Sequence, residues 1–268
     1  MIKKQVYSGI AILLIIGVYT YENYLNSKAK SEIIASGKVP KENTNIYFLP
    51  TSTTNQVVHH QNYSLSYSEP HEQAEWVAYE LSVSHLSSIN RKRPYFEIDS
   101  AVKTGAADWR NYKNSGYDRG HLCPAGDRRF AKQAHDETFL TSNISPQEHQ
   151  FNAGVWNRLE QKVRYWAKRY DGVFVVTGGV LKNELKTIGD EDVAVPNQFY
   201  KVIMDVTNGK PKVLAFLMNH EDSDLPLYEF VVSVDEVEAL TGIDFFPVLE
   251  DSIEDKLEAS SSYQGWRF

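Results

Sequence analysis

The stretch Tyr-Asp-Arg-Gly-His-Leu-Cys-Pro-Ala, residues 117–125, joins a carboxylate, an arginine and a histidine within four residues. An imidazole with an ordinary pKa of about 6.5 can accept a proton from water near neutral pH. A guanidinium group offers planar donors to phosphate oxygens. The grouping of Arg119 with His121 therefore favours chemistry on phosphodiesters.

Two stretches further along the chain extend this pattern. Residues 141–147 read Thr-Ser-Asn-Ile-Ser-Pro-Gln, and residues 151–160 read Phe-Asn-Ala-Gly-Val-Trp-Asn-Arg-Leu-Glu. They add side-chain amides and a carboxylate to the histidine and arginine. Taken together, these motifs resemble those of the DNA/RNA non-specific endonucleases, the sugar-non-specific, endonuclease G-like nucleases of the ββα-metal class. The resemblance covers roughly residues 62–268 through further matching segments at residues 76–81, 175–179, 195–202 and 241–247.

Composition and charge describe a chain with one substantial core. With 268 residues, of which 42% are hydrophobic, we expect one globular domain plus an N-terminal appendage. The formal net charge of -7 argues at first against a polyanionic substrate. However, residues 91–169 hold 15 Lys and Arg against 9 Asp and Glu, whereas residues 221–258 hold 13 acids and one lysine. Positive charge gathers around the motifs, which predicts a phosphate-facing groove, with a solvated surface as the alternative.

The N-terminus has the pattern of an export signal. Lys3 and Lys4 precede an apolar run from Val6 to Tyr21, which by the positive-inside rule predicts that the rest of the chain lies outside the cytoplasm. The run fits an uncleaved membrane anchor, a cleaved signal peptide or, less readily, a buried core helix. The predicted divisions are an anchor or signal peptide at residues 1–25, a polar linker at residues 26–61 and the endonuclease domain at residues 62–268.

Beyond this boundary, hydrophobic patterning indicates a mixed fold. Helical spacing of apolar residues predicts a helix over residues 152–169, and a capping-box pattern predicts a second over residues 234–241. Apolar runs predict strands at residues 63–67, 76–81, 173–177, 199–206 and 213–218. We therefore predict an α+β domain in which a central antiparallel sheet is flanked by helices. The resemblance implies a ββα-metal catalytic unit on that sheet.

Cys123, two residues after His121, is the only cysteine, so no disulfide can form within the chain. A nucleophilic thiolate would form a covalent phospho-intermediate that the rest of the motif does not require. We therefore interpret Cys123 as a small packed residue.

His121 is the predicted general base, which must be neutral at the working pH and within hydrogen-bond reach of the attacking water. The resemblance implies that Asn152 is the metal ligand, through its side-chain carbonyl oxygen, with water and the substrate phosphate in the other positions. Magnesium suits such a site because it prefers oxygen ligands and keeps several waters, and Mn²⁺ is the alternative. The position of Asn152 ahead of a helical run also fits an N-cap, and Asn143 is a second candidate ligand.

Glu160 is the predicted carboxylate of the site. It follows Asn152 by eight residues, with Trp156 midway, so the three share one stripe of a regular helix. From that stripe, Glu160 could orient the hydrated ion without displacing its waters. A pair with Arg164, four residues on, is the alternative.

Two arginines and an aspartate complete the predicted site. Arg119 either stabilises negative charge on the phosphate or holds the geometry of the site. Asp118 is interpreted as a structural partner of Arg119 or of nearby backbone rather than as a metal ligand. Upstream, the family carries an arginine ahead of an aromatic residue and an aspartate, and the resemblance places it at Arg93.

The N-terminal pattern, the site residues and the resemblance together predict an exported, magnesium-dependent endonuclease that hydrolyses DNA and RNA without strong sequence specificity and, as the resemblance implies, leaves 5′-phosphate ends. Nucleic acids are the predicted substrates, and the membrane is a further partner if the N-terminal segment is retained. The alternatives are a non-catalytic surface module that binds polyanions and a different metal-dependent phosphodiesterase. The first would tolerate loss of His121 and Asn152, and the second would not degrade polymeric nucleic acid.

Overall fold

A central antiparallel sheet organises the protein. The computed structural model describes residues 48–206 and 211–268. Seven strands form the sheet in the order β1-β2-β3-β6-β9-β10-β11, and each neighbouring pair is antiparallel. Two further antiparallel pairs are β4 with β5 and β7 with β8. The strands are β1 (Val57–His59), β2 (Ser64–Ser68), β3 (Gln73–Leu81), β4 (Asp118–His121), β5 (Ile144–Gln147), β6 (Val173–Gly179), β7 (Thr187–Ile188), β8 (Val193–Ala194), β9 (Gln198–Asp205), β10 (Lys212–Asn219) and β11 (Val231–Val232).

Helices cover the sheet and join its strands. They are α1 (Lys132–Glu137), α2 (His149–Phe151), α3 (Asn157–Arg169), α4 (Val234–Thr241) and α5 (Asp251–Glu258). The predicted start of α4 is confirmed, because the Ser233 hydroxyl accepts a hydrogen bond from the Glu236 N–H at 3.1 Å. Over residues 48–206 and 211–268, no helix combines the length and apolar character needed to span a membrane.

Both faces of the central sheet are buried, because alternate side chains of a strand point to opposite sides. On β3, Val77 and Tyr79 belong to the apolar cluster that includes the buried face of α3. Trp76 and Ala78 belong to the cluster that includes α4. The predicted α+β architecture, with helices flanking an antiparallel sheet, is therefore confirmed, and all five predicted strands are present.

The domain starts before residue 62, the boundary predicted from the sequence. Phe48 is buried and packs on Phe174 with ring centroids 4.3 Å apart, and residues 57–59 form the edge strand β1. The Thr51 N–H donates to the Asp244 carbonyl oxygen at 2.8 Å. The polar composition of this segment concealed its packing, because its partners lie far along the chain. The predicted anchor at residues 1–25 and the linker up to residue 47 lie outside the described residues.

The single helix predicted over residues 152–169 is divided. Helix α2 begins earlier, at His149, and a π turn over Asn152–Trp156 separates it from α3. Gly154 in this turn has φ −93° and ψ −110°, which lies outside the helical region. The turn therefore changes the direction of the side chains before it relative to those of α3.

Candidate active site

Strands β4 and β5 pair and lead into α2, which gives a ββα arrangement. His121 ends β4 and lies opposite Ile144 of β5. A Cβ at Gly120 would lie 2.1 Å from the Gln147 side-chain oxygen, so the glycine leaves room for the buried Gln147 side chain against β4. The pairing of β4 with β5 fixes where β4 presents the side chains of Arg119 and His121.

An open cleft of about 540 Å³ lies beside the ββα unit. Four of the five predicted site residues line the cleft, namely Arg93, Arg119, His121 and Asn152. The fifth, Glu160, does not line it. Arg91, Arg129 and His149, to which no site role was given from the sequence, also line the cleft. Four guanidinium groups around one cleft agree with the basic segment at residues 91–169 that the sequence showed.

His121 lies between aromatic rings and positive charge. Its ring contacts Phe139 edge to face at a centroid distance of 4.9 Å and lies 5.7 Å from Phe96. The Nε2 atom is buried and has no hydrogen-bond partner among the described residues. Burial, followed by the charges of Arg93 and His135, lowers the pKa of His121 to about 3. The imidazole is therefore neutral at neutral pH, the form that a general base requires.

Asn152 is oriented by an aspartate of β4. Its Nδ2 atom donates to Asp118 Oδ2 at 3.0 Å, and His149 Nδ1 lies 2.9 Å from the same oxygen. A carboxylate accepts hydrogen bonds, so Asp118 selects the NH₂ end of the amide and leaves the Asn152 carbonyl oxygen for an ion. Asn152 has helical dihedrals, φ −61° and ψ −48°, and α2 begins before it, so the N-cap interpretation is wrong. Asp118 is a structural partner, but its hydrogen bonds go to Asn152 and His149 rather than to Arg119.

Arg119 and Arg93 stack on aromatic rings beside the cleft. The Arg119 guanidinium carbon lies 4.9 Å from the ring centroid of Phe96 and 5.7 Å from that of Trp109. The Arg93 guanidinium carbon lies 5.3 Å from the same Phe96 ring and 5.6 Å from Phe139. Stacking restricts a guanidinium while its in-plane N–H groups stay available to a phosphate. Trp109 and Phe139 were missed from the sequence because they lie outside the recognised motifs.

Glu160 pairs with Arg164 instead of lining the cleft. Its Oε2 atom lies 3.2 Å from Arg164 Nη2, and Arg164 Nε also contacts Asp127. Burial raises the pKa of Glu160 to about 7, against the lowering effect of Arg164. A π turn with the non-helical Gly154 lies between Asn152 and Glu160, so the two residues do not belong to one regular helix. The alternative pair with Arg164 is thus the observed contact, and a role for Glu160 toward a hydrated ion stays a prediction.

Asn143 and Cys123 are structural. The Asn143 Oδ1 atom accepts from the Cys123 N–H at 2.8 Å, while its Nδ2 atom donates to the carbonyl oxygens of Cys123 at 3.0 Å and Thr138 at 2.9 Å. Both ends of this buried amide are engaged, so the second candidate ligand, Asn143, is wrong. Burial raises the pKa of the Cys123 thiol to about 12, which agrees with a packed, protonated residue.

A paired strand with a histidine, followed by a helical segment with an amide at the same cleft, defines the ββα-metal nuclease class. The profile of the DNA/RNA non-specific endonuclease family matches residues 41–252. The chain belongs to this family, and the resemblance seen in the motifs is confirmed. The match begins before residue 62, in agreement with the packing of Phe48 and β1.

Relatives and a solved structure support this assignment. Mitochondrial nuclease EXOG of Danio rerio is 38% identical over 206 residues, which cover 70% of this chain and 60% of the relative. This chain therefore spans less than two thirds of that relative. Mitochondrial endonuclease G of Homo sapiens is 32% identical over 207 residues, covering 72% of this chain and 70% of the relative. A chain in the crystal structure of the EndoG/EndoGI complex matches with a TM-score of 0.68 and 33% identity, covering 72% of this chain and 86% of that one.

Proposed function

We propose that this protein is an exported endonuclease that hydrolyses phosphodiester bonds of DNA and RNA with Mg²⁺ and without strong sequence specificity. One observation carries the proposal: a neutral His121 and an Asn152 carbonyl oxygen with no hydrogen bond to the described residues share one arginine-lined cleft. The membership of the chain in the endonuclease family supports the same activity.

His121 takes the proton of the attacking water. The pairing of β4 with β5 and the rings of Phe96 and Phe139 restrict the imidazole, so it is held ready for the water. Part of its depressed pKa comes from the charge of Arg93. A phosphate bound beside Arg93 offsets that charge, so substrate binding raises the basicity of His121 when it is needed.

Asn152 holds the metal ion through its carbonyl oxygen. Mg²⁺ fits this donor because it prefers oxygen and keeps most of its waters, so that one protein ligand suffices, and Mn²⁺ is the alternative. The hydrogen bond to Asp118 keeps the amide oxygen turned away from the carboxylate. When bound, the ion supplies charge neutralisation at the phosphate and at the departing oxygen.

Arg93 and Arg119 bind the phosphate backbone. Both guanidinium groups are stacked and line the cleft beside His121. Contacts to phosphate position a nucleic acid but carry no sequence information. Recognition by these arginines therefore explains cleavage of DNA and RNA without strong sequence specificity.

Export separates this activity from the chromosome of the cell. Lys3 and Lys4 ahead of the apolar run from Val6 to Tyr21 support translocation of the rest of the chain. The relatives named above are mitochondrial proteins, whereas for this chain the N-terminal pattern favours location outside the cytoplasm, as a membrane-anchored or a secreted enzyme. An enzyme that recognises phosphate charge does not distinguish host DNA from other nucleic acids. Its location outside the cytoplasm would therefore protect the chromosome of the cell.

Incubation of the purified protein with plasmid DNA and with RNA, in Mg²⁺, Mn²⁺ or chelator, tests the proposal. We expect both polymers to be degraded with either ion and neither with chelator, and the products to carry 5′-phosphates. Binding without cleavage under all conditions would instead identify a polyanion-binding module. Equal cleavage in chelator would contradict the assigned role of Asn152, and Asn152→Ala serves as the matched inactive control.

A further inference from the structure

Asn152 lies at the start of a π turn rather than inside a regular helix. The turn spans Asn152–Trp156, and Gly154 in its middle departs from helical dihedrals with ψ −110°. A π turn shifts the residues before it relative to the helix that follows. The position of the Asn152 side chain therefore depends on what holds this turn in shape.

One acidic side chain from the segment after β10 contacts the turn. Asp222 Oδ1 accepts a hydrogen bond from the Val155 backbone N–H at 3.1 Å. A Cβ at Gly154 would lie 2.1 Å from the same oxygen and 2.8 Å from Asp222 Cγ. The missing side chain of Gly154 is thus what allows the carboxylate to approach the backbone.

Arg158 holds the segment that carries Asp222. Its guanidinium group donates to the carbonyl oxygens of Ser223 and Leu225, and both terminal nitrogens lie 3.2 Å from the Leu225 oxygen. Arg158 belongs to the first turn of α3. The segment is therefore joined to the helix at two points, one at Val155 within the π turn and one just beyond it.

We propose that Asp222 is a positioning residue for Asn152. By accepting the Val155 N–H, its carboxylate holds the π turn in the shape that keeps the Asn152 carbonyl oxygen at the cleft. Asp222 is not among the described residues that line the cleft, so it acts through the backbone and not on the substrate. The inference rests on the proposed function, in which Asn152 binds Mg²⁺.

The test is the Mg²⁺ dependence of plasmid cleavage by three variants. Asp222→Ala removes the acceptor, and we expect the half-saturating Mg²⁺ concentration to rise about three- to tenfold, the factor that one hydrogen bond typically contributes. The rate at saturating Mg²⁺ should change less than about twofold, because the ion restores the turn by binding. Asp222→Asn keeps the Oδ1 acceptor and should restore the parental value. Asp224→Ala removes the same charge from the same segment and should also match the parent.

Two outcomes of that titration would overturn the inference. An unchanged half-saturating Mg²⁺ concentration in Asp222→Ala would show that the hydrogen bond does not position Asn152. A defect in Asp222→Asn as large as that of Asp222→Ala would show that charge, and not the acceptor, is what matters.

A double variant checks that the two positions act together. Gly154→Ala should displace the Asp222 carboxylate and raise the half-saturating Mg²⁺ concentration by itself. Combined with Asp222→Ala, its effect should be smaller than the product of the two single effects, because contacting residues are not additive. A multiplicative result would mean independent roles and would contradict the inference.

Calorimetric titration with Mg²⁺ alone separates this inference from the proposed function. If the parental protein did not cleave nucleic acid, the proposed function would be contradicted. Positioning would still stand if Asn152→Ala abolished Mg²⁺ binding and Asp222→Ala weakened it three- to tenfold, as about one hydrogen bond predicts. It would fall if Asp222→Ala bound Mg²⁺ as tightly as the parent.

Discussion

Replacing Asn143 with alanine should destabilise the fold and leave the Mg²⁺ requirement of cleavage unchanged. Replacing Asn152 with alanine should change the Mg²⁺ requirement and leave the stability of the fold nearly unchanged. Asn143→Ala removes the hydrogen bonds to the Cys123 N–H, the Cys123 carbonyl oxygen and the Thr138 carbonyl oxygen, all of them buried. At roughly 1–1.5 kcal/mol for each bond, the free energy of unfolding falls by about 3–5 kcal/mol. For a domain of this size, the Tm should fall by about 6–20 °C.

Asn152→Ala removes a single side-chain hydrogen bond, the one to Asp118, in a partly exposed position. We expect a loss of about 1 kcal/mol at most and a Tm change of about 2–4 °C. Cleavage with Mg²⁺, however, should be lost or should require much more metal. Asn143→Ala should therefore lose stability and keep the parental Mg²⁺ requirement, whereas Asn152→Ala should keep its stability and lose Mg²⁺-dependent cleavage.

Thermal denaturation and Mg²⁺ titration of plasmid cleavage measure both properties. Activity is compared at a temperature well below the Tm of Asn143→Ala, so that both variants are folded. There, Asn143→Ala should show the parental half-saturating Mg²⁺ concentration. An Asn143→Ala protein with the parental Tm and an altered Mg²⁺ requirement would refute the assignment and make Asn143 the ligand.

Three further predictions concern catalysis, stability and location. His121→Ala should lower turnover by about two to four orders of magnitude while binding of a DNA duplex persists, and cleavage near the parental rate would exclude His121 as the base. Burial and neighbouring carboxylates raise the pKa of Glu258 from 4.5 to about 8, so its ionisation destabilises the fold as pH rises through this interval. Glu258→Gln should therefore raise the Tm at pH 9 and leave it unchanged at pH 4, and equal shifts at both values would contradict this. Cytoplasmic expression of the chain without residues 1–21 should be toxic and His121→Ala should relieve it, whereas equal growth at matched soluble levels would count against export and potent cleavage.

Local patterning was enough to predict five strands of the central sheet, helix α4 and part of the site. The strands β6, β9 and β10 follow from apolar runs, because burial in a sheet covered on both faces leaves few polar positions. Arg119 and His121 could be chosen together, since two residues of one short strand necessarily reach the same region of the fold. These properties depend on near neighbours along the chain, which the sequence displays directly.

The tertiary structure alone decided which asparagine can hold an ion. The sequence offers both Asn143 and Asn152 as candidate metal ligands. In the structure, the Asn143 side chain hydrogen-bonds to backbone groups of Cys123, 20 residues away, and the Asn152 side chain hydrogen-bonds to Asp118, 34 residues away. Pairing of β4 with β5 creates both environments, and an amide has a free oxygen only where its neighbours leave one. Likewise, the π turn at Gly154 interrupts the regular helix on which the sequence placed Asn152 and Glu160. Periodicity indicated five strands and two helical runs of this protein, whereas long-range contacts decided which polar atoms were already engaged, because a hydrogen bond depends on which groups folding brings together.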